Sequence, residues 1–114
     1  MKGLKEQDSA LALRQVTNML GYLWIDNTEQ EAYQTWRRYV EMNPSKGAEI
    51  LDYFEQVLAA PPPDLNEILE KNWIILYHTE GSQQVPYSYP EQLEWLTRLA
   101  GKLKTIYNEV TASQ

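Results

Sequence analysis

The chain has no cysteine and a single histidine, His78, among its 114 residues. The first absence removes any disulfide framework, any thiolate zinc site and any cysteine nucleophile, and it agrees with a reducing compartment. The second removes a paired-histidine metal site and leaves a serine hydrolase no spare imidazole. The five glycines stand far apart, at 3, 21, 47, 81 and 101, so no glycine-rich loop is available to cradle a phosphate. Long apolar runs are missing too, the longest uncharged one being WIILY at Trp73 to Tyr77, far short of a bilayer span. The opening MKGLKEQDS carries lysines but turns acidic where a signal peptide would enter an apolar stretch. A cytoplasmic protein without membrane association is expected.

Positive charge is also scarce. Lysine and arginine number 10 against 16 aspartates and glutamates, for a net charge of −6. Such a surface repels phosphate backbones, because nucleic-acid binding draws its affinity from cations that displace counterions. Nucleic acid is therefore not an expected partner. The same charge attracts a basic protein and speeds its association, or serves solubility alone.

What is present is a globular composition, 43% hydrophobic and 23% charged, enough for one domain over residues 1–114 with a continuous core. Apolar residues recur three and four apart through most of the chain, the spacing of amphipathic helices. Asp8 or Ser9 is placed to cap a first helix that buries Leu13, Val16, Leu20 and Leu23. Thr28 with Glu31 has the capping-box spacing and predicts a second helix to about Met42, with Ala32, Trp36, Tyr39 and Val40 inward. Asn43 and Pro44 interrupt it, and Ser45 is placed to cap a third helix on Ile50, Leu51, Phe54, Val57 and Leu58. The run APPPD at Ala60 to Asp64 ends that helix.

Asp64 with Glu67 repeats the capping spacing before a short fourth helix on Leu65, Ile68 and Leu69. WIILYH then fits a helical extension or a short strand, since a brief apolar run does not fix its own period. TEGSQQVPYSYPEQ has loop composition, and Pro90 suits the first turn of a last helix on Leu93, Leu96, Ala100, Leu103, Tyr107 and Val110. The predicted fold is an all-α, single-domain bundle of about five helices, with room for a minor strand near residues 73–77.

Few of these residues point to chemistry. His78, alone in an apolar run, reads as a partly buried or surface side chain rather than a general base. Glu49, Asp52 and Glu55 on one helix, and Asp64, Glu67 and Glu70 on the next, are spaced for solvated helix faces rather than for a glycosidase pair. Lying on either side of the proline turn, the two triplets are predicted to adjoin as one acidic surface. Trp24, Trp36, Trp73 and Trp95 each have apolar neighbours at helical spacing and read as core. Tyr77, Tyr87 and Tyr89 crowd into or near the long loop, where a partly exposed ring and hydroxyl suit a binding hot spot. No cofactor or metal is expected, and no catalytic residue stands out.

The order of signals is YLWIDN with Tyr22 and Asp26, then EQEAY, then LDYFEQVLAAPP, and finally YPEQLEWLTRL with Trp95 and Leu96. It resembles a family of small immunity proteins from bacterial contact-dependent growth inhibition systems. That family has a Leu-x-x-Tyr-Phe-x-x-Asp-Trp-like stretch after its first helix, an acidic helix start, a leucine-bearing middle helix and a closing Tyr-x-x-Trp-Leu helix. The likeness spans about Leu11 to Leu103. Leu23 stands where the family has an aromatic and Asn27 where it usually has tryptophan, and the closing tyrosine-to-tryptophan spacing is longer here. The resemblance implies an all-helical, cytoplasmic, non-enzymatic protein that neutralises the toxin domain of a large secreted protein, commonly a nuclease. The expected contacts, for a monomer in a one-to-one complex with a basic toxin, are Asp52, Glu55, Asp64, Glu67, Tyr77, Tyr87 and Tyr89. The alternative is a non-catalytic adaptor or structural protein whose acidic surface serves solubility.

Overall fold

The computed structural model describes residues 2–113. Five helices and one hairpin follow in the order α1 (Lys2–Trp24), α2 (Glu29–Met42), α3 (Pro44–Ala59), α4 (Leu65–Lys71), β1 (Tyr77–Glu80), β2 (Gln83–Pro86) and α5 (Tyr89–Ala112). The expected all-α bundle is what forms. Helix α1 begins at Lys2 and runs through Asp8 and Ser9, so neither of those residues is its cap. It buries Ala12, Val16, Met19, Leu20 and Leu23.

The turn after α1 is built from local polar contacts. Asp26 takes a left-handed φ of 53°, a conformation Asp tolerates better than most residues. Asn27 donates its side-chain amide to the Leu23 carbonyl at 2.8 Å, and Thr28 and Glu31 close a reciprocal capping box at the start of α2. Helix α3 starts at Pro44 with Asn43 before it, so Ser45 lies inside its first turn and does not cap it. Proline at this position loses nothing, because the first-turn N–H has no intrahelical partner.

Helices α1 and α5 flank α2 and α3 in one bundle, and α4 closes it against α5 and α1. At its centre Trp36 is fully buried, stacks on Tyr39 with ring centroids 5.8 Å apart, and donates its indole N–H to the Leu103 carbonyl at 2.8 Å. One side chain thus fills core volume and ties α2 to α5 without leaving a polar atom unsatisfied. Gly47 sets how closely α3 approaches: a Cβ there would lie 3.1 Å from Val40 Cγ2 and 3.4 Å from a Tyr107 ring carbon. Trp24 meets Trp95 edge to face at 5.6 Å, joining the end of α1 to the start of α5.

Two segments differ from the sequence reading. The strand begins at Tyr77 instead of occupying residues 73–77, and the expected loop contains its partner, pairing Tyr77 with Pro86 through Glu80 with Gln83. Gly81 has φ 63° at the first position of the two-residue Gly81-Ser82 turn, the glycine placement of a type II′ hairpin. At the other difference, Asp64 precedes α4 without a side-chain cap and only its carbonyl accepts from Glu67 N–H at 3.0 Å.

Candidate functional site

A second left-handed residue, after Asp26, lies where α4 ends. Trp73 N–H donates to Glu70 O at 3.0 Å and Ile74 N–H to Leu69 O at 2.9 Å, the bond pair of a Schellman motif. Ile74 and Leu69 are both buried and supply the apolar contact that accompanies such caps. The residue in the left-handed position is Trp73, with φ 63°, where glycine is the usual occupant. Its indole is 81% exposed.

Trp73 was expected in the core, and it is instead the most exposed of the large hydrophobic residues among those described. It shares a cleft with Trp24, Ile25, Asp26 and Thr28. Ile25 is 63% exposed, and Ile75 and Tyr77, in the segment entering the hairpin, are exposed as well. The cleft thus sets a strained, exposed tryptophan beside a second exposed apolar side chain, Ile25.

The three candidate tyrosines separate. Tyr77 is exposed, and its side chain has no hydrogen bond or ring contact among the described residues. Tyr87 is half-buried, packs its ring 4.6 Å from that of His78, and donates its backbone N–H to Leu76 O at 3.0 Å. Tyr89 donates its hydroxyl to Pro62 O at 2.7 Å, which ties the start of α5 to the proline turn. Of the three, the Tyr77 side chain therefore has no contact of this kind within the fold, while Tyr87 and Tyr89 hold the chain together.

Asp52, Glu55, Asp64 and Glu67 are all exposed. Asp52 accepts from Gln56 Nε2 at 3.0 Å, within its own helix. Helices α3 and α4 make no direct backbone approach to one another among the described residues, so their acids stand on two helices separated by the proline turn. Glu29, another exposed acid, accepts from the Tyr33 hydroxyl at 2.7 Å. Partial burial first, and that carboxylate second, raise the Tyr33 phenol well above its ordinary value.

His78 is anchored. Its Nε2 hydrogen-bonds Glu91, whose other oxygen accepts from the backbone N–H and hydroxyl of Ser88, each at 3.0 Å. The Ser88 N–H, followed by the His78 ring and the Ser88 hydroxyl, holds the Glu91 carboxyl below the usual carboxylate range. This is a second capping box, at the start of α5, with the hairpin attached to it through the imidazole. Its Ser88 and Glu91 have the same spacing as Thr28 and Glu31, the signal by which the sequence reading, which placed only Pro90 there, could have found them. No cluster of three metal-ligating side chains occurs among the described residues.

Gln92 follows as the one buried polar side chain among the described residues, 5% exposed. Its Nε2 donates to Tyr87 O at 3.1 Å and to Asn66 Oδ1 at 3.3 Å, while Oε1 has no partner. An orphaned acceptor of this kind costs about 1–3 kcal/mol. No known protein family matches the chain, and no characterised protein or solved structure matches it.

Proposed function

We propose that the chain is a non-catalytic immunity protein that binds and neutralises the toxin domain of a large secreted protein, a basic nuclease, as a monomer in a one-to-one complex. The observation that carries the reading is Trp73, an indole 81% exposed on a left-handed backbone that glycine would occupy without strain. Folding gains little from an exposed ring and is burdened by its conformation. A binding partner that buries the ring accounts for both. The net charge of −6 supports a basic partner, which the acids on α3 and α4 would steer toward the surface. Ile25, Ile75 and Tyr77 supply apolar area around the anchor. The resemblance of YLWIDN and the later motifs to the growth-inhibition immunity family supplies the identity of the partner class.

The test is binding of the purified chain to the toxin domain encoded beside it, read by calorimetry, together with rescue of growth in cells that express the toxin. Tight one-to-one binding that falls at least tenfold in Trp73→Ala, at unchanged helix content, is the expected result. Absence of binding and of rescue would refute the proposal.

A further inference from the structure

A second cleft, of about 150 Å³, lies between α4, the segment entering the hairpin and the first turns of α5. Its apolar lining includes Leu69, Ile74, Leu76 and Pro86, and its polar groups include Asn66, Glu70, Gln84 and Gln92. Exposed Ile75 and Tyr77 also border it. The volume suits one long side chain, and the polar groups discriminate strongly among side chains.

Gln92 Oε1 is a buried acceptor without a donor. Turning the amide over does not solve this, because Tyr87 O, now 3.1 Å from Nε2, accepts only and would then face an oxygen. The carboxylate of Glu70 on the same cleft is a further acceptor, and no lysine or arginine lines the cavity. Apolar walls, a charged acceptor and an orphaned neutral acceptor together call for a cation on an aliphatic stem with several N–H groups. Guanidinium has five such donors in one plane and is less strongly hydrated than an ammonium, which favours its entry into a partly apolar site.

We infer that this cleft is a socket for an arginine side chain carried by the binding partner, its stem against Leu69, Ile74 and Leu76 and its guanidinium on Glu70 and, once the buried Gln92 amide shifts toward the cleft, on Gln92 Oε1. Naming the toxin as the source of that arginine rests on the function proposed above. The socket itself is testable without the toxin. The experiment is a nuclear magnetic resonance titration of the full chain with n-propylguanidinium chloride, and in parallel with n-propylurea, a neutral molecule of similar shape.

Saturable shifts of the Gln92 side-chain amide and of the Ile74 and Leu76 methyls are expected with the guanidinium, and at least tenfold weaker binding with the urea. Glu70→Gln, an exposed change that leaves the fold intact, should weaken the guanidinium at least fivefold, and Gln92→Met should abolish its saturable binding. No shift at Gln92, equal binding of the urea, or shifts spread evenly over Asp52 and Glu55 would each overturn the socket; the first is also the result if only a water occupies the site. A final arm measures Glu70→Gln against the toxin domain. Saturable guanidinium binding without toxin binding refutes the immunity reading and leaves the socket standing, whereas toxin binding unaffected by Glu70→Gln refutes the arginine contact alone.

Discussion

Replacing Trp73 with glycine and with alanine separates backbone strain from side-chain contact. Both changes delete an indole that is 81% exposed. With about one fifth of a roughly 250 Å² side chain covered, the area lost is roughly 50 Å², or on the order of 1 kcal/mol. That loss is common to the two variants and cancels in their difference. The backbone term does not cancel, because residue 73 holds a φ of 63°. A left-handed conformation costs an L-residue about 1–2 kcal/mol, which alanine bears and glycine escapes. Glycine in turn gives up about 0.4–1 kcal/mol through its freer unfolded chain.

The glycine variant is therefore expected to be the more stable by about 0.8 kcal/mol, against the usual ranking of the two residues near helices. For a domain of 114 residues that difference is a gap in melting temperature of roughly 3–5 °C. Circular dichroism melts of the two variants side by side measure it. If the alanine protein melts as high as the glycine protein or higher, residue 73 does not hold the left-handed cap conformation and the strain argument fails. Against the toxin the two variants should be equally impaired, each by about 2 kcal/mol or more, roughly thirtyfold, since both lack the ring.

Trp36→Ala should lower stability by about 3–5 kcal/mol without contacting a partner, because it empties a fully buried site and orphans the Leu103 carbonyl; denaturant unfolding measures it. Tyr89→Phe should cost about 1 kcal/mol of stability through its lost bond to Pro62 O and leave affinity unchanged, whereas Tyr77→Ala should do the reverse, as melting and calorimetry will separate. Reversing the charge of Asp52, Glu55, Asp64 and Glu67 should slow association with a basic toxin roughly tenfold at low salt, the effect shrinking toward 0.5 M salt; an unchanged rate would place the partner on another face. Glu31 and Glu91 are both held below the ordinary carboxyl value of 4.5, chiefly by the cap-residue N–H groups of Thr28 and Ser88. Their contribution is thus present above about pH 4.5 and is lost as pH falls through the lowered values, so the Glu31→Gln/Glu91→Gln protein should melt lower at pH 7 and lose less on acidification.

The helices were legible because burial is periodic in them. Ala32, Trp36 and Val40 face the core of α2 and Ile50, Phe54 and Val57 that of α3, as the three-and-four spacing required. Caps were read less well. The spacing of a capping box is necessary but not sufficient: Thr28 and Glu31 form one, whereas Asp64 and Glu67 do not, because Asp64 leaves the proline run at φ −103° and ψ 31°, outside the extended geometry of a capping residue. The hairpin was missed for a different reason. Every residue of β1 is exposed, and β2 has only Val85 partly covered, so neither strand carries the alternation that marks a half-buried sheet. Its signal was the two-residue Gly81-Ser82 turn, a local cue that the surrounding loop composition masked.

The apolar surface was hidden by the same periodicity that revealed the helices. Trp73 sits eight residues after Leu65 and four after Leu69, both core positions, so continued helix would have carried it inward. The helix stops at Lys71, and the left-handed turn at residue 73 sends Ile74 inward and the indole out. A glycine at 73 would have announced that stop; a tryptophan conceals it, since nothing in its propensity favours the conformation. Gln92 was obscured in a parallel way, as a polar residue next to Leu93 that pattern alone assigns to the surface, whereas its amide is buried under the Tyr87 carbonyl. Both residues break a local rule, and each borders a cleft, Trp73 the one with Trp24 and Ile25 and Gln92 the one with Ile75 and Tyr77. Where such violations each line a cleft, a requirement imposed from outside the fold explains them more simply than failures of packing.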